Sequence, residues 1–244
     1  MNKMIFAPRP QAGPAPRQAS RSGLQLQRIV FALALATFAT PGIAHAEKDR
    51  VLYSFNAGLG PFDPSSGPIR SKSGELYFSA ANYSNLSLYP GAVVEASLND
   101  AGTKVTTVKT LHVFTGVSGE GAYPSALLLR NDALYGTTYQ GGDLSCPLQP
   151  GCGTVFKLTY STRCPPTDWC ETVLYQFRGK RDGMEPSGSV IADKDGDLFG
   201  TTQAGGGTGC QDGCGTIFEL KVTKPNSTRY TESILYSFPP RPGT

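Results

Sequence analysis

Short apolar stretches recur along the chain after residue 46, each bounded by glycine, proline, asparagine or aspartate. They are rich in β-branched and aromatic side chains, which is typical of β-strands. No stretch after residue 46 keeps the apolar period of an amphipathic helix, and 29 glycines and 19 prolines punctuate the whole chain. The pattern therefore predicts an all-β fold.

Four of these stretches share one pattern: a β-branched residue, Leu, Tyr or His, any residue, and Phe. They occupy residues 51–55, 110–114, 173–177 and 234–238. Their closing phenylalanines are 59, 63 and 61 residues apart. A Pro-Ser pair, a Leu-aromatic stretch and a glycine-led β-branched stretch follow each of the first three, always in that order. Landmarks in fixed order at one period indicate a tandem repeat.

Each repeat predicts four strands, labelled a to d, which in the last unit span 187–192, 197–202, 215–222 and 233–238. Tandem four-stranded antiparallel meanders are typical of β-propeller blades. We expect a propeller-like domain over 47–244. Its units are expected at about 56–114, 115–177 and 178–238, after a leading strand at 50–55.

The number of units bears on closure of the ring. Three units are fewer than the roughly four to eight blades of propellers, so the sequence predicts an open arc and a truncated member of a longer protein. The leading strand should not reach the third unit. The outer faces of the first and third units should be partly uncovered, with possible self-association through them.

The first 46 residues follow a different pattern. Residues 1–28 contain five basic and no acidic side chains, residues 29–39 are apolar, and 40–46 end in Ala-His-Ala. This order predicts a secretory signal peptide cleaved before Glu47. A membrane anchor would need about 20 apolar residues. The protein is thus expected to be exported to the periplasm, cell surface or exterior, with no membrane span after cleavage.

Removing the signal peptide changes the charge of the chain. The remaining residues carry 17 basic and 19 acidic side chains, a net charge of −2. They contain no Lys/Arg cluster that could follow a phosphate backbone, so nucleic acid is not an expected partner.

The six cysteines fall into three close pairs: Cys146–Cys152, Cys164–Cys170 and Cys210–Cys214. Close pairing in an exported chain predicts three local disulfides. The alternative is a zinc site, which usually has two-residue gaps between cysteines and often histidine ligands.

The motifs resemble a known repeat. Leu-Tyr-Gly-Thr-Thr at 134–138 and Gly-Cys-Gly-Thr-(Val/Ile)-Phe at 151–156 and 213–218 are similar to the Gloeo-Verruco tandem repeat of "choice-of-anchor" exported bacterial proteins. The resemblance extends over 50–238 and is weaker in the first unit, which has Phe-Ser-Ala at 78–80 where the others have Gly-Thr-Thr. It implies an exported, surface-associated, propeller-like protein, and it supplies no catalytic residues.

The topology predicts where a ligand binds. In a meander, the d–a and b–c loops lie at the same end of the sheet, and these are the long loops here. Candidate binding residues on this face are Glu120, Tyr123, Tyr139, Asp182, Glu185 and Gln203. The function expected is a non-catalytic binding module for an extracellular polysaccharide or protein. The alternative is that long loops are merely tolerated.

Catalytic and metal chemistry have weaker support. Asp193, Asp195 and Asp197 suggest a calcium loop, but the spacing differs from an EF-hand and a hairpin turn accounts for them. His112 occupies a d-strand position where the other copies have Tyr, so we expect a structural role and no His-based catalysis. The alternative function is a propeller-fold hydrolase or lyase using Glu120, Asp182 or Glu185. No cofactor is expected.

Overall fold

The computed structural model describes residues 50–55, 60–82, 90–117, 119–147, 150–207, 209–210, 212–224 and 227–240. The predicted signal peptide lies outside them. In this part of the chain the structure consists of β-strands and one 3-10 turn at Lys180–Asp182, without an α-helix. No helix among these residues has the length and apolarity needed to cross a bilayer. The predicted all-β class is confirmed.

The strands form three antiparallel sheets in tandem. Sheet I contains β1 (Phe62–Pro64), β2 (Ile69–Arg70), β3 (Leu76–Asn82), β4 (Ala92–Leu98) and β5 (Val105–Val113). Sheet II contains β6 (Gly121–Arg130), β7 (Ala133–Gly141), β8 (Thr154–Tyr160) and β9 (Trp169–Gln176). Sheet III contains β10 (Met184–Pro186), β11 (Ile191–Ala192), β12 (Leu198–Ala204), β13 (Thr216–Val222) and β14 (Tyr230–Ser237).

Each sheet has the predicted a-b-c-d order, but strand a begins earlier than predicted. In sheet III it starts at Met184, before the Pro-Ser pair, and consists of two pieces that both pair with β12. The break falls at residues 187–190, after the proline, and the residue before that proline, Glu185, has a left-handed backbone with φ 59°. Asp63 and Tyr123 have the same conformation in the other sheets.

The sheets stack face to face through repeated aromatic contacts. Phe114 at the end of sheet I packs edge-on against Phe156 of sheet II, with ring centroids 5.1 Å apart. Phe177 of sheet II packs in the same way on Phe218 of sheet III, again at 5.1 Å. All four rings are fully buried. The closing Phe of the first unit and that of the second therefore each anchor their unit to the next.

The leading segment 51–55 is not a strand, which corrects the expectation of one there. It lies on sheet I, where Phe55 packs against Phe78 at 5.5 Å and the Leu52 carbonyl accepts a hydrogen bond from Val105 N–H. It has no place beside β13, because both edges of that strand are occupied by β12 and β14.

The weaker repeat pattern of the first unit has a packing explanation. In sheets II and III the ring of Phe156 or Phe218 on strand c lies over a glycine on strand b, and a Cβ at Gly200 would come within 2.5 Å of the Phe218 ring. In sheet I the pair is reversed: Phe78 is on strand b and faces Val94 on strand c. The aromatic ring is therefore on strand b in sheet I and on strand c in sheets II and III, and in each case it fills the same space between the two strands.

The two ends of the stack differ from its middle. Leu111 and Leu174, on the outer faces of sheets I and II, are 0% and 7% exposed because the next sheet covers them. The equivalent Leu235 of sheet III is 53% exposed, and Tyr236 and Phe238 are 49% and 43% exposed. Sheet III thus presents an uncovered apolar face, as expected.

Candidate functional site

The d–a and b–c loops meet at one end of the stack, which we call the loop end. Gly142 N–H bonds to the Glu120 carbonyl, and Gly206 N–H bonds to the Lys180 carbonyl, so each b–c loop is tied to the d–a loop that leads into its unit. Three disulfides join Cys146–Cys152, Cys164–Cys170 and Cys210–Cys214, the pairs that the spacing predicts. Two of them brace b–c loops at this end.

Each seam between neighbouring sheets contains a polar cluster with the same plan. A ring on strand d supplies the first group, an acid in the following d–a loop supplies the second, and a glutamate on strand d of the next sheet supplies the third. The first seam holds His112, Glu120 and Glu171, and the second holds Tyr175, Asp182 and Glu232.

In the first seam, His112 Nε2 lies 3.3 Å from Glu120 Oε1 and 3.7 Å from Glu171 Oε2. Glu120 is held in place because its other carboxylate oxygen accepts hydrogen bonds from Thr115 N–H, at 3.2 Å, and from the Thr115 hydroxyl. The three side chains are 16%, 18% and 12% exposed. His112 Nε2 and Glu171 Oε1 are buried without a hydrogen-bond partner.

The environment of the first seam shifts the pKa values of its two glutamates in opposite directions. Burial raises the pKa of Glu171 to about 7, and the Glu120 charge adds to this, although His112 opposes it. Burial acts in the same direction on Glu120. There the His112 ring and the Thr115 hydrogen bonds outweigh it and hold the pKa of Glu120 below its usual range.

In the second seam a tyrosine replaces the histidine. The Tyr175 hydroxyl donates a hydrogen bond to Asp182 Oδ1, and Arg178 N–H donates to Asp182 Oδ2 at 2.6 Å. Burial, together with this carboxylate, raises the pKa of Tyr175. Burial and the nearby Asp182 charge raise the pKa of Glu232 to about 7, and Glu232 Oε1 is buried without a hydrogen-bond partner.

The raised pKa of Glu232 predicts that stability falls as pH increases. Between its ordinary value of 4.5 and about 7, the unfolded chain has released a proton that the folded chain keeps, so deprotonation disfavours the folded state. We expect a lower free energy of unfolding at pH 8 than at pH 5. In the Glu232→Gln protein the difference in the free energy of unfolding between the two pH values should be smaller. The difference that remains would come from Glu171, whose pKa is also raised.

Urea denaturation at both pH values measures the effect. A Glu232→Gln protein with the full pH dependence of the unmodified protein would contradict the assigned environment.

The other predicted site residues are paired only in part. Tyr139 on β7 hydrogen-bonds to Glu185 on β10, across the second seam, and burial together with this carboxylate raises the pKa of Tyr139. Tyr123 is exposed, and its N–H bonds to the Pro90 carbonyl. Gln203 is exposed on β12.

An open cleft of about 1070 Å³ lies at the loop end of the second seam. Its wall includes the exposed side chains of Arg178, Lys180 and Arg181, which surround the 3-10 turn. The acids along it are Asp182, whose two oxygens accept the hydrogen bonds described above, and Asp212. Three cations against two acids give the lining a net charge of +1, whereas residues 47–244 together carry a net charge of −2.

The three aspartates at 193–197 form a turn. Asp193 Oδ1 accepts hydrogen bonds from the backbone N–H groups of Asp195, Gly196 and Asp197. Asp195 pairs with Lys194, and Asp197 Oδ1 accepts from Val222 N–H. These contacts account for the acids as parts of an a–b hairpin.

Sequence reasoning missed Glu171 and Glu232, which complete the two seam clusters. A signal was present, because a glutamate stands four residues before the tyrosine of strand d in both later units. It was overlooked because a single strand does not show which residues face the next sheet.

Stacked four-stranded antiparallel sheets with braced loops at one end define a β-repeat protein. The chain belongs to the Gloeobacter/Verrucomicrobia repeat family, whose model matches residues 20–243. No curated protein matches the chain.

Proposed function

We propose that the protein is an exported, propeller-like, non-catalytic binding module, and that its loop end binds an acidic extracellular polysaccharide. The observation that carries the proposal is the cleft of the second seam, with Arg178, Lys180 and Arg181 exposed around it. Carboxylates on a polymer would pair with these cations. Braced loops on a rigid sheet scaffold are a usual place for recognition.

Export is supported by the signal-like pattern of the first 46 residues and by the three disulfides, which persist in oxidising compartments. The propeller-like arrangement is supported by the serial stacking of four-stranded meanders.

Titration with polygalacturonate, with neutral dextran as the comparison, tests the proposal. We expect binding to polygalacturonate only, weakened by salt. The variant with Arg178→Gln, Lys180→Gln and Arg181→Gln should bind at least about tenfold more weakly, since each exposed charge pair contributes up to about 1 kcal/mol.

A matched control variant removes the same charge at the opposite end of the sheets, through Lys72→Gln, Lys221→Gln and Lys224→Gln. It should bind like the unmodified protein. Equal binding to dextran, or equal weakening in both variants, would overturn the proposal. Release of new chain ends from the polymer would favour the hydrolase or lyase alternative.

We also propose that the isolated chain associates head to tail, with the outer face of sheet III docking on sheet I of a second copy. The same face of sheets I and II is covered by a following sheet. Residues 234–238 differ from 51–55 only at the first position, and 51–55 already lies on sheet I. An apolar cavity of about 280 Å³ remains between that segment and sheet I, so the existing cover is incomplete.

Light scattering over a concentration series tests this association. The unmodified protein should form larger species as concentration rises, and Leu235→Glu should remain monomeric because a charge cannot be buried unpaired in the contact. Val117→Glu is the control, since Val117 is 59% exposed in a loop outside that face. A protein that stays monomeric at every concentration would refute the association.

A further inference from the structure

The two seams differ in the hydrogen bonding of their acidic side chains. In the second seam the Tyr175 hydroxyl supplies a hydrogen to Asp182. In the first seam the equivalent residue is His112, whose buried Nε2 faces two carboxylates and makes no hydrogen bond. One imidazole nitrogen and two carboxylates, converging in a mostly buried site, form a set of metal ligands.

The geometry of this set fits a metal ion. The potential ligand atoms of His112, Glu120 and Glu171 all lie within 4.8 Å of one another. Zn²⁺ binds nitrogen and oxygen at about 2.0–2.2 Å, so atoms on opposite sides of one ion are separated by no more than about 4.4 Å. The distances of 3.3 and 3.7 Å from Nε2 to the two carboxylates fall within that range, and the bound of 4.8 Å leaves the two carboxylates at most a few tenths of an ångström to move together around an ion.

The charge of the two glutamates and the hydrogen bonds that orient Glu120 also favour a metal ion. A divalent ion would neutralise two carboxyl groups that lie together in a mostly buried seam, beside the ring of His112 and the hydrogen-bond donors of Thr115. Glu120 is already oriented by Thr115 through its other oxygen, which is how ligating carboxylates are commonly held. The side chains stay 12% to 18% exposed, so the site is open enough for an ion to enter.

We propose that His112, Glu120 and Glu171 bind one divalent transition-metal ion, which joins sheet I to sheet II. An imidazole with two carboxylates suits ions such as Zn²⁺ or Mn²⁺. His112 belongs to sheet I, Glu171 belongs to sheet II, and Glu120 lies in the loop that joins the two sheets, so the ion would fix the seam between them. The site is separate from the polysaccharide cleft, which lies at the second seam.

The repeat supplies its own test variants. His112→Tyr copies the residue found at 53, 175 and 236, so the seam should still pack while its nitrogen ligand is lost. Tyr175→His places an imidazole beside Asp182 and Glu232 and should create a second site. The protein must be free of any polyhistidine tag, and Zn²⁺ is the probe.

Equilibrium dialysis followed by elemental analysis should find one Zn²⁺ per unmodified chain, none in His112→Tyr and two in Tyr175→His. Zn²⁺ should raise the melting temperature of the unmodified protein but not that of His112→Tyr. Loss of a direct ligand should weaken binding by more than the roughly 10–100-fold seen for outer-shell changes. No bound Zn²⁺ in the unmodified chain, or undiminished binding in His112→Tyr, would overturn the proposal.

Discussion

Phe177→Ala should destabilise the protein by about 3–5 kcal/mol, the usual cost of removing a buried aromatic ring. Phe177 is fully buried between sheets II and III, where its ring lies edge-on to Phe218. Its removal would leave a cavity in the core of the second seam, and the cleft above that core would lose its support.

Phe238→Ala is the matched control, because Phe238 closes the next strand d in the same sequence context. Its side chain is 43% exposed, since none of the three sheets that the structure describes packs against it. We expect a cost below about 1 kcal/mol. Urea denaturation in dilute solution measures both variants. Equal losses at 177 and 238 would mean that the sheets do not stack as described.

The disulfide Cys146–Cys152 should contribute more to stability than Cys164–Cys170, although both close loops with a sequence separation of 6. Loop closure alone predicts about 2 kcal/mol for each. Cys146 and Cys152 are also 3% and 0% exposed in the core of the second seam, whereas the other pair is only partly buried. Replacing Cys146 and Cys152 by alanine should therefore lower the free energy of unfolding by about 1–2 kcal/mol more than replacing Cys164 and Cys170.

The same replacement should also weaken polysaccharide binding. Cys152 Sγ contacts Met184 Sδ at 3.9 Å, and Met184 and Pro147 line the cleft. Cys164→Ala with Cys170→Ala is the control, because that pair braces the c–d loop at the opposite end. Comparing the two double variants by urea denaturation and by polygalacturonate titration separates the contributions. Equal stability losses would show that burial of the sulfurs has no effect.

The sheet order could be predicted because each strand carries a local signature and the signature repeats. The split of strand a in sheets I and III could not, since strand a of sheet II carries the same Pro-Ser pair and the same backbone conformation before it and yet is continuous. The leading segment was predicted as a strand from its sequence alone. A strand also needs a ladder of backbone hydrogen bonds. The segment at 51–55 reaches the edge strand β5 through the hydrogen bond from Val105 N–H to the Leu52 carbonyl and otherwise packs on sheet I through Phe55.

The site was predicted less completely than the fold. The loop end and Glu120, Asp182, Tyr139 and Glu185 followed from topology. The contact between His112 and Glu171 did not, because Glu171 lies 59 residues away in the sequence and meets His112 only when sheets I and II stack. Sequence alternation shows that a side chain leaves a strand on one face, but not which groups it meets there.

Hydrogen–deuterium exchange with and without polygalacturonate tests the central claim, that the loop end of the second seam binds the ligand. We predict slower exchange at 178–184, in the d–a loop, and at 204–207 and 212–215, in the b–c loop. The a–b turns at 71–75, 131–132 and 193–197, at the opposite end, should be unchanged. Protection confined to those turns, or to the outer face of β14, would contradict the account.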